Sequence, residues 1–405
     1  MKVVHISTRD TGGAAVACIR LHLALLDSGV DSTLLTLDKQ RDDIPNHFIY
    51  DLSIIEKFNL LAFKIINKFN KILKLKKKIA FNTDSFSYPR SLYNLHKNDL
   101  IKSANIIHLH WVSGFWDYKS FARISGGKIV WTLHDMNPFT GGCHYSGDCQ
   151  KFIYECSHCP LIIRSKHNVA RNNFLYKKRY KGDNICIVTP SIWLKNISHS
   201  SNLFHDYKHY HIFNPFCTSI KKTIDKNLAR IKLELPIDKK IILFISDSID
   251  TKRKGFDILI NALNKINSEE YLLLIIGKSG KQFDIKSPYI HLGYITDFEK
   301  MALVYSSSDV YVITSLEDNL PNTVVESIFF GTPVIGFDTG GIPEIILPNI
   351  NGLLCEEVSV SALLKSIEYF YNNIESFDRE KIKTLAMEQF NNKVIVEKYL
   401  EIYSL

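Results

Sequence analysis

The chain has 405 residues, which is long enough for two ordinary domains. Of these residues, 45% are hydrophobic and 23% are charged, which is the composition of a globular protein. No eighteen-residue stretch is apolar enough to span a membrane, and the chain opens on a predicted strand with no signal peptide, so we expect a cytoplasmic protein. The net charge of +8 comes without a recognised binding module for nucleic acid, and we expect no nucleic-acid partner.

The N-terminal segment predicts a doubly wound α/β opening. Residues 2–8 (KVVHIST) read as a buried strand, followed by a diglycine turn, an amphipathic helix and a second strand. Gly12 and Gly13 would let a phosphate or a sugar approach the backbone at the start of the helix. The pair lacks the GxGxxG spacing, which argues against a dinucleotide-dependent oxidoreductase.

Residues 54–80 predict a basic amphipathic helix. Apolar residues recur at helical spacing among many lysines, and no acid follows Glu56. Such a helix suits an anionic membrane surface, which would place the protein peripherally on the inner face of the plasma membrane. A helix packed on its own domain, with its lysines in water, is an equal alternative.

Further strands alternate with helical stretches, as in a parallel sheet. They are predicted at residues 105–110, 128–134 and 185–189. His134 and Asp135 follow the second of these strands, at the edge where open α/β sheets bind ligands, and both are candidate site residues. For His134 the alternative is a histidine that caps the strand for structural reasons. The HLHW sequence at residues 108–111 is interpreted mainly as packing, with contact to the cleft as the alternative.

Four of the eight cysteines fall within seventeen residues, namely Cys143, Cys149, Cys156 and Cys159. A cluster that ends in CxxC, in a chain without a secretion signal, favours a structural tetrahedral metal site, with zinc as the metal, over disulfides. The first spacing is looser than in zinc fingers, so free or redox-active thiols remain the alternative. His144 or His158 could replace one sulfur.

A polar linker within residues 211–236 predicts two domains, an N-terminal one of residues 1–210 and a C-terminal one of residues 211–385. The second domain opens with a buried strand and a basic loop. Arg253 and Lys254 lie in that loop just before a predicted helix, where two cations would neutralise a leaving diphosphate. Solvated loop charge is the alternative interpretation.

Glycine-containing loops follow the next strands of this domain. Gly277 ends one strand, and Gly293 opens a loop that continues through Tyr294 and Ile295. Gly340 and Gly341 would permit a tight turn and close approach of a ligand, although an ordinary loop explains them equally well.

The segment SLEDNLPNTVVE, residues 315–326, sets two carboxylates eight residues apart around a loop that opens a helix. Asp318 and Glu326 can then lean over one pocket, one toward sugar hydroxyls and the other toward a ribose diol. The N–H groups at the start of the helix would face a diphosphate. The predicted contacts at this helix start are Leu320, Pro321, Asn322 and Thr323.

This segment resembles the Glu-x7-Glu motif of retaining glycosyltransferase family 4, in the variant whose first acid is aspartate. Asp318 keeps the family spacing to Glu326, and Glu317 is the weaker alternative. The cysteine-rich segment also resembles that of a subset of the family in bacterial surface-polysaccharide assembly. The resemblance implies the GT-B fold, in which two Rossmann-like α/β domains face a central cleft. Residues 386–405 would cross back to the N-terminal, acceptor-side domain, and the C-terminal domain would bind the nucleotide sugar.

The resemblance implies a retaining hexosyltransferase that uses a UDP- or GDP-linked sugar and a lipid-linked glycan acceptor in capsule, O-antigen or exopolysaccharide assembly. No catalytic metal is expected, because Lys254 and helix N-termini would stabilise the leaving diphosphate. The chain has Ser248-Ile249 where the family has Gly-Arg, so the role of that arginine is transferred to Arg253. The resemblance also places His134 beside the donor sugar and the backbone of residues 293–295 beside the base.

Two other functions remain open. A non-hydrolysing sugar-nucleotide epimerase would share the two-domain form and need no acceptor. A non-catalytic nucleotide-sugar-binding protein would bind the donor without turning it over.

Overall fold

The computed structural model describes residues 1–72, 80–81, 85–124, 126–163, 168–183, 185–216, 224–266 and 269–405. The chain divides into two compact units. The first comprises Met1–Pro215 together with Asn392–Leu405, and the second comprises Phe216–Asn391. Part of the predicted linker, residues 217–223, lies outside the described residues.

The first unit is built on a parallel sheet. Its strands are β1 (Lys2–Arg9), β2 (Asp31–Asp38), β3 (His47–Ile49), β4 (Ala80–Phe81), β5 (Ile106–Leu109), β6 (Lys128–Thr132), β7 (Ile162–Ile163), β8 (Ile185–Thr189) and β9 (Lys208–His211). Seven of them pair in the order β3-β2-β1-β5-β6-β8-β9, all in parallel, whereas β4 and β7 form a small antiparallel pair. The central strands are buried on both faces, which is why they read as continuous apolar runs. The strands predicted at residues 105–110, 128–134 and 185–189 are confirmed as β5, β6 and β8.

The helices of this unit are α1 (Gly13–Asp27), α2 (Ile54–Ile72), α3 (Asp99–Lys102), α4 (Val169–Tyr180) and α5 (Ile192–Ser200). Asn98, Asn168 and Ser191 cap α3, α4 and α5 by accepting hydrogen bonds from backbone N–H groups. The predicted basic helix is confirmed for residues 54–72, and residues 73–79 lie outside the described part of the chain.

The second unit is also built on a parallel sheet. Its strands are β10 (Lys240–Ser248), β11 (Tyr271–Lys278), β12 (Tyr289–His291), β13 (Val310–Ile313), β14 (Val334–Phe337) and β15 (Gly352–Cys355), in the order β12-β11-β10-β13-β14-β15. Its helices are α6 (Lys226–Lys232), α7 (Phe256–Leu263), α8 (Phe298–Ser307), α9 (Asn322–Phe329), α10 (Val360–Asn372) and α11 (Arg379–Gln389). The helix predicted to begin at Pro321 and Asn322 is α9, with Pro321 as its N-cap residue.

The last helix, α12 (Asn392–Ser404), belongs to the first unit. Its apolar face packs in one buried cluster with Val3 of β1 and Leu21 of α1 through Ile395, Val396, Tyr399, Ile402 and Tyr403. The Tyr403 hydroxyl also lies 2.7 Å from Nδ1 of His108 in β5. The predicted return of the C-terminal helix to the first domain is confirmed, as is the fold class of two Rossmann-like α/β domains.

Candidate functional site

Candidate residues of the second unit follow four neighbouring strands, β11, β10, β13 and β14. Because all pairings are parallel, the carboxyl ends of these strands meet at one edge of the sheet, where open α/β sheets bind ligands. Lys254 follows β10, Asp318 follows β13 and Gly340 follows β14. The sheet order therefore brings together residues that are far apart in sequence.

Asp318 lies at the centre of this group. Lys254 Nζ donates to Asp318 Oδ2 at 2.6 Å, and Arg253 Nη1 lies 3.6 Å from the same oxygen. Burial opposes ionisation of this carboxyl, but the two cations hold the pKa of Asp318 below its ordinary value. Both cations thus lie beside one buried carboxylate, at the position where the sequence predicted a diphosphate.

Backbone hydrogen bonds fix the basic loop against the acidic loop. Arg253 Nη1 donates to the Glu317 carbonyl at 2.5 Å, and Leu316 N donates to the Arg253 carbonyl at 2.8 Å. Thr314 Oγ1 donates to the Lys254 carbonyl at 2.9 Å. The two candidate acids are Glu317 and Asp318, and the side chain of Asp318 contacts Lys254.

Glycines at this edge of the sheet allow the loops to approach each other closely. Gly340 has φ +61°, and a Cβ on it would lie 1.9 Å from the Asp318 carbonyl oxygen. Gly341 N donates to that same oxygen at 2.9 Å. Gly255, with φ +65°, would place a Cβ 2.1 Å from the Thr314 carbonyl oxygen. The diglycine therefore supports the loop that carries Asp318, which the sequence alone did not indicate.

The start of α9 lies directly after this loop. Pro321 is its N-cap residue, preceded by Leu320, and makes no side-chain cap hydrogen bond. Thr323 Oγ1 lies 2.8 Å from the Tyr311 hydroxyl. One turn further, Glu326 Oε2 accepts a hydrogen bond of 2.8 Å from the Tyr305 hydroxyl. Tyr305 was missed by sequence reasoning, because it reaches Glu326 from α8.

The remaining candidates of this unit lie around β11 and β12. Gly277 has φ +140° and would place a Cβ 1.9 Å from the Ser246 carbonyl oxygen, so its role is close packing of strands. Its N–H donates to the Gly293 carbonyl at 2.9 Å. Tyr294 and the half-buried Ile295 follow in the predicted loop, with Lys278 Nζ 4.1 Å from the Tyr294 ring centroid.

In the first unit, candidate residues also follow the carboxyl ends of adjacent strands. Gly12, with φ +92°, and Gly13 join β1 to α1. His134 follows β6 and lines a pocket together with His110, Trp111, Asp135 and Tyr88.

Three histidines, the buried His5 on β1 and His110 after β5 and the half-buried His134 after β6, are joined in a row. His5 Nδ1 lies 3.0 Å from His110 Nε2, and His110 Nδ1 lies 3.1 Å from His134 Nε2. Burial lowers the pKa of all three, that of His134 to about 4, so the imidazoles are neutral at neutral pH. The sequence analysis did not single out His110 within residues 108–111, because the strand order that aligns these rings is not visible in the sequence.

Asp135 organises the pocket wall. Its Oδ2 accepts from Trp111 Nε1 at 2.8 Å and lies 2.6 Å from His144 Nδ1, and its Oδ1 accepts from Asn137 N at 2.8 Å. Burial acts to raise the pKa of Asp135, but His144 and these donors hold it below its ordinary value. Nε2 of His144 lies 2.8 Å from Ser87 Oγ, so both ring nitrogens are engaged and His144 does not replace a cysteine sulfur.

The four clustered cysteines line one apolar pocket, bounded by Phe86, Phe152 and Ala170. Among the described residues, the groups of three metal-ligating side chains within 4.8 Å of one another include His5, Cys18 and His110 but no trio of these four cysteines. Burial raises the pKa of Cys143 and of Cys156 to about 12, so both are thiols at neutral pH. The pocket gathers the thiols without holding them as a closed tetrahedral site, and the structural zinc remains a prediction.

Residues 239–373 match the family model described as "Glycosyl transferases group 1". This segment, a third of the chain, is therefore similar to the group 1 glycosyltransferases. It contains Arg253, Lys254, Asp318 and Glu326, so the cluster described above lies within the glycosyltransferase group 1 segment.

Two curated relatives are similar to this chain. The "Putative colanic acid biosynthesis glycosyl transferase WcaC" of Escherichia coli K12 is 22% identical, over 100% of this chain and 99% of that protein. An "Uncharacterized glycosyltransferase" of Haemophilus influenzae is 25% identical over 156 residues, which are 36% of this chain and 44% of the relative. The chain thus spans less than half the length of the second relative.

The solved structure of Anabaena Alr3699/HepE in complex with UDP and glucose is similar over 100% of this chain and 99% of that one. The TM-score is 0.66 at 15% sequence identity. At that identity the likeness shows the fold alone, and that fold is the predicted GT-B type.

Proposed function

We propose that this protein is a group 1 glycosyltransferase, which transfers a hexosyl group from a UDP- or GDP-linked sugar to a lipid-linked glycan, with retention of anomeric configuration, in the assembly of a surface polysaccharide. The observation that carries the proposal is the cluster of Lys254, Arg253 and Asp318 beside the N-terminus of α9, with Glu326 in the same helix. Cations and helix N–H groups at one position are the groups that bind a diphosphate.

Two likenesses support the proposed donor and the proposed acceptor. Alr3699/HepE, which shares the fold, was solved with UDP and glucose, and WcaC, which aligns over the whole chain, is described by colanic acid biosynthesis. A nucleotide sugar as donor and a growing polysaccharide as acceptor follow from these two likenesses as proposals. Assembly on a lipid carrier would place the acceptor at the cytoplasmic face of a membrane.

The diphosphate would take over the cations that Asp318 now holds. Lys254 and Arg253 would move toward the two phosphates, and their charge would stabilise the diphosphate as it leaves. Asp318, released from Lys254, would accept hydrogen bonds from hydroxyl groups of the donor sugar. The second acid, Glu326, held by Tyr305, would accept from the ribose diol.

The reaction needs no protein nucleophile in this scheme. The bond between the anomeric carbon and the diphosphate oxygen breaks, while the acceptor hydroxyl forms a new bond to that carbon on the same face. The hydroxyl proton passes to the departing diphosphate oxygen. The chain's contribution is orientation and electrostatic stabilisation, with His134 beside the donor sugar.

The proposal is tested by incubating the purified protein with UDP- and GDP-linked hexoses, with and without a lipid-linked glycan, and by mass analysis of products. We expect slow donor hydrolysis without acceptor and a longer glycan with it, linked with the donor's anomeric configuration. An epimerised nucleotide sugar formed without acceptor would instead establish an epimerase. Binding of nucleotide sugar with no turnover under any condition would establish a non-catalytic protein.

A further inference from the structure

Helix α2 carries a row of exposed apolar side chains. Ile54, Phe58, Leu61 and Ile65 recur at the spacing of one helical face and are 86%, 70%, 57% and 48% exposed. Ile55 and Ile66, on the neighbouring row, are 69% and 56% exposed. A continuous apolar stripe of this kind is unusual on a surface that meets only water.

The opposite side of the helix is anchored to its own unit through Glu56. Its carboxylate accepts hydrogen bonds from the Tyr50 hydroxyl at 2.7 Å, from Ser53 N at 2.9 Å and from Asn94 N at 2.6 Å. Glu56 is the only acid of the helix and is 1% exposed. The acid is therefore turned inward, and the apolar stripe faces away from the unit.

Among the side chains of the helix that the structure describes, the exposed charged ones are lysines. Lys57 and Lys64 are exposed, and they lie seven residues apart on one border of the apolar stripe. A stripe of large apolar side chains bordered by lysines is complementary to a bilayer whose surface is anionic.

We propose that helix α2 binds the surface of an anionic lipid bilayer, with its apolar stripe in the interfacial region and its lysines beside the headgroups. The inference rests on the proposed function and extends it, because binding of α2 to the bilayer would hold the enzyme where a lipid-linked acceptor lies. Vesicle binding is measured without any sugar substrate, so its outcome is independent of the transferase assay.

The test is co-sedimentation with vesicles of phosphatidylcholine alone or mixed with phosphatidylglycerol. We expect binding to the anionic vesicles that weakens with salt, and at least tenfold weaker binding for the double variant Phe58→Ser, Leu61→Ser. Removing two charges in Lys57→Gln, Lys64→Gln should weaken anionic binding roughly thirtyfold. The matched controls are Tyr369→Ser with Met387→Ser, and Lys300→Gln with Lys365→Gln, which alter exposed helical residues elsewhere.

Equal vesicle binding by the serine variant and the wild type would overturn the proposal, as would absence of binding by the wild type. A dimer in solution that the serine variant converts to monomer would assign the stripe to a second copy of the chain instead. Circular dichroism checks that each variant is folded, which surface substitutions should leave intact.

A second, independent observation concerns the direction of the hydrogen bonds that join His5, His110 and His134. Each neutral imidazole carries one proton, so His110 donates one of the hydrogen bonds that join it to His5 and His134 and accepts the other. Both hydrogen bonds therefore run in the same direction, either from His5 toward His134 or from His134 toward His5. Nε2 of His5 is buried and has no hydrogen-bond partner among the described residues. A proton there would be a buried donor without an acceptor, which folded proteins avoid.

We infer that His5 and His110 are positioning residues that fix the tautomer of His134. His5 donates from Nδ1 to His110 Nε2, and His110 donates from Nδ1 to His134 Nε2, which leaves the proton of His134 on Nδ1. His134 would then carry its donor N–H group at Nδ1. The role of His134 toward substrate rests on the proposed function, but its tautomer does not.

The tautomer is read from nitrogen chemical shifts of protein labelled with ¹⁵N-histidine, with His134→Gln used to assign the signal. We expect the Nδ1–H form of His134 in wild type, the same form in His5→Asn, which keeps a donor near the Nδ1 position, and a mixture in His5→Leu. In the transferase assay His5→Leu should lower kcat at least tenfold with KM nearly unchanged, and His5→Asn should restore it. An Nε2–H form in wild type would overturn the inference, as would equal kcat in the two variants.

Discussion

Lys254 and its neighbour Lys252 offer a test of the diphosphate site at the scale of one residue. Lys254 contacts Asp318, whereas Lys252 is exposed in the same short turn. We expect Lys254→Ala to lower kcat/KM at least tenfold, about 1.4 kcal/mol of transition-state stabilisation, because the leaving diphosphate loses a cation. Lys252→Ala should keep the wild-type rate.

Steady-state kinetics with saturating acceptor measure both variants. A tenfold loss in both would indicate a general effect of loop charge, and no loss in Lys254→Ala would contradict the site assignment. The thermal unfolding midpoint should be measured alongside, since Lys254→Ala leaves the buried Asp318 carboxylate with Arg253 at 3.6 Å as its remaining cation.

Tyr305 provides a second test, on the acid expected to bind ribose. Its hydroxyl donates to Glu326 Oε2 and so fixes the direction of that carboxylate. We expect Tyr305→Phe to raise the KM for the nucleotide sugar several-fold, and Glu326→Ala to impair turnover at least tenfold. Initial rates against donor concentration measure both effects, and Glu368→Gln, on exposed surface, is the control. Unchanged KM in Tyr305→Phe would mean that Glu326 is oriented by other groups.

Asp318 and Glu326 could be predicted as candidates from sequence because their spacing belongs to one loop and one helix. Lys254 could be predicted as a candidate because a cation before a glycine and a helix has a local signature. Tyr305 and His110 were not recognised, because each reaches its partner only through the packing of a helix or the order of strands. His5 and His110 are 105 residues apart, and no pattern within one element predicts that pair.

At the scale of elements, the loop after β14 is held by a close approach that only glycine allows. We expect Gly340→Ala to lower the free energy of unfolding by more than about 1 kcal/mol and to reduce transfer, because φ +61° disfavours alanine and the added Cβ would meet the Asp318 carbonyl oxygen. Gly280→Ala is the matched control, since its Cβ would meet its nearest atom at an ordinary 3.6 Å. Denaturant unfolding and kinetics measure the two, and equal stability would show that the loop can move away from Gly340.

The cysteine segment tests the predicted zinc. A tetrahedral site would hold the four sulfurs about 3.8 Å apart, so metal binding would have to draw these thiols together and displace their protons. We expect about one zinc per chain by elemental analysis and a lower thermal midpoint after chelation. Cys149→Ser with Cys159→Ser should lose the metal, whereas Cys355→Ser, a buried single cysteine of the second unit, should retain it. Metal-free protein with an unchanged midpoint would leave the cysteines as free thiols.

At the scale of the whole molecule, the sequence predicted two parallel sheets because strand and helix periods are local properties, whereas the return of the last helix was implied by the family resemblance. The order β3-β2-β1-β5-β6-β8-β9 was not predictable in the same way. It is set by which buried faces fit together, as when Tyr399 and Tyr403 of α12 pack beside His108. The histidine cluster is a product of that order, and its properties belong to the folded unit as a whole.

The buried histidines make the stability of the first unit sensitive to acid. Burial lowers the pKa of His108 to about 3 and that of His134 to about 4, whereas an unfolded histidine titrates near its ordinary value of about 6.5. Between those values the unfolded chain binds protons that the folded unit does not. The free energy of unfolding should therefore be highest above pH 6.5 and fall as the pH decreases toward 4, by up to about 1.4 kcal/mol per pH unit for each histidine.

Tryptophan fluorescence measures this unit selectively, because the four tryptophans, Trp111, Trp116, Trp131 and Trp193, all lie in it. We expect the denaturant midpoint of the fluorescence transition to fall steadily from pH 7 to pH 5. His108→Gln should reduce that slope, since it removes one group that takes up a proton on unfolding, and His205→Gln, an exposed histidine of the same unit, should leave it unchanged. A midpoint that is constant over this range would mean that the folded unit accepts these protons, and hence that the histidine cluster opens to water without unfolding.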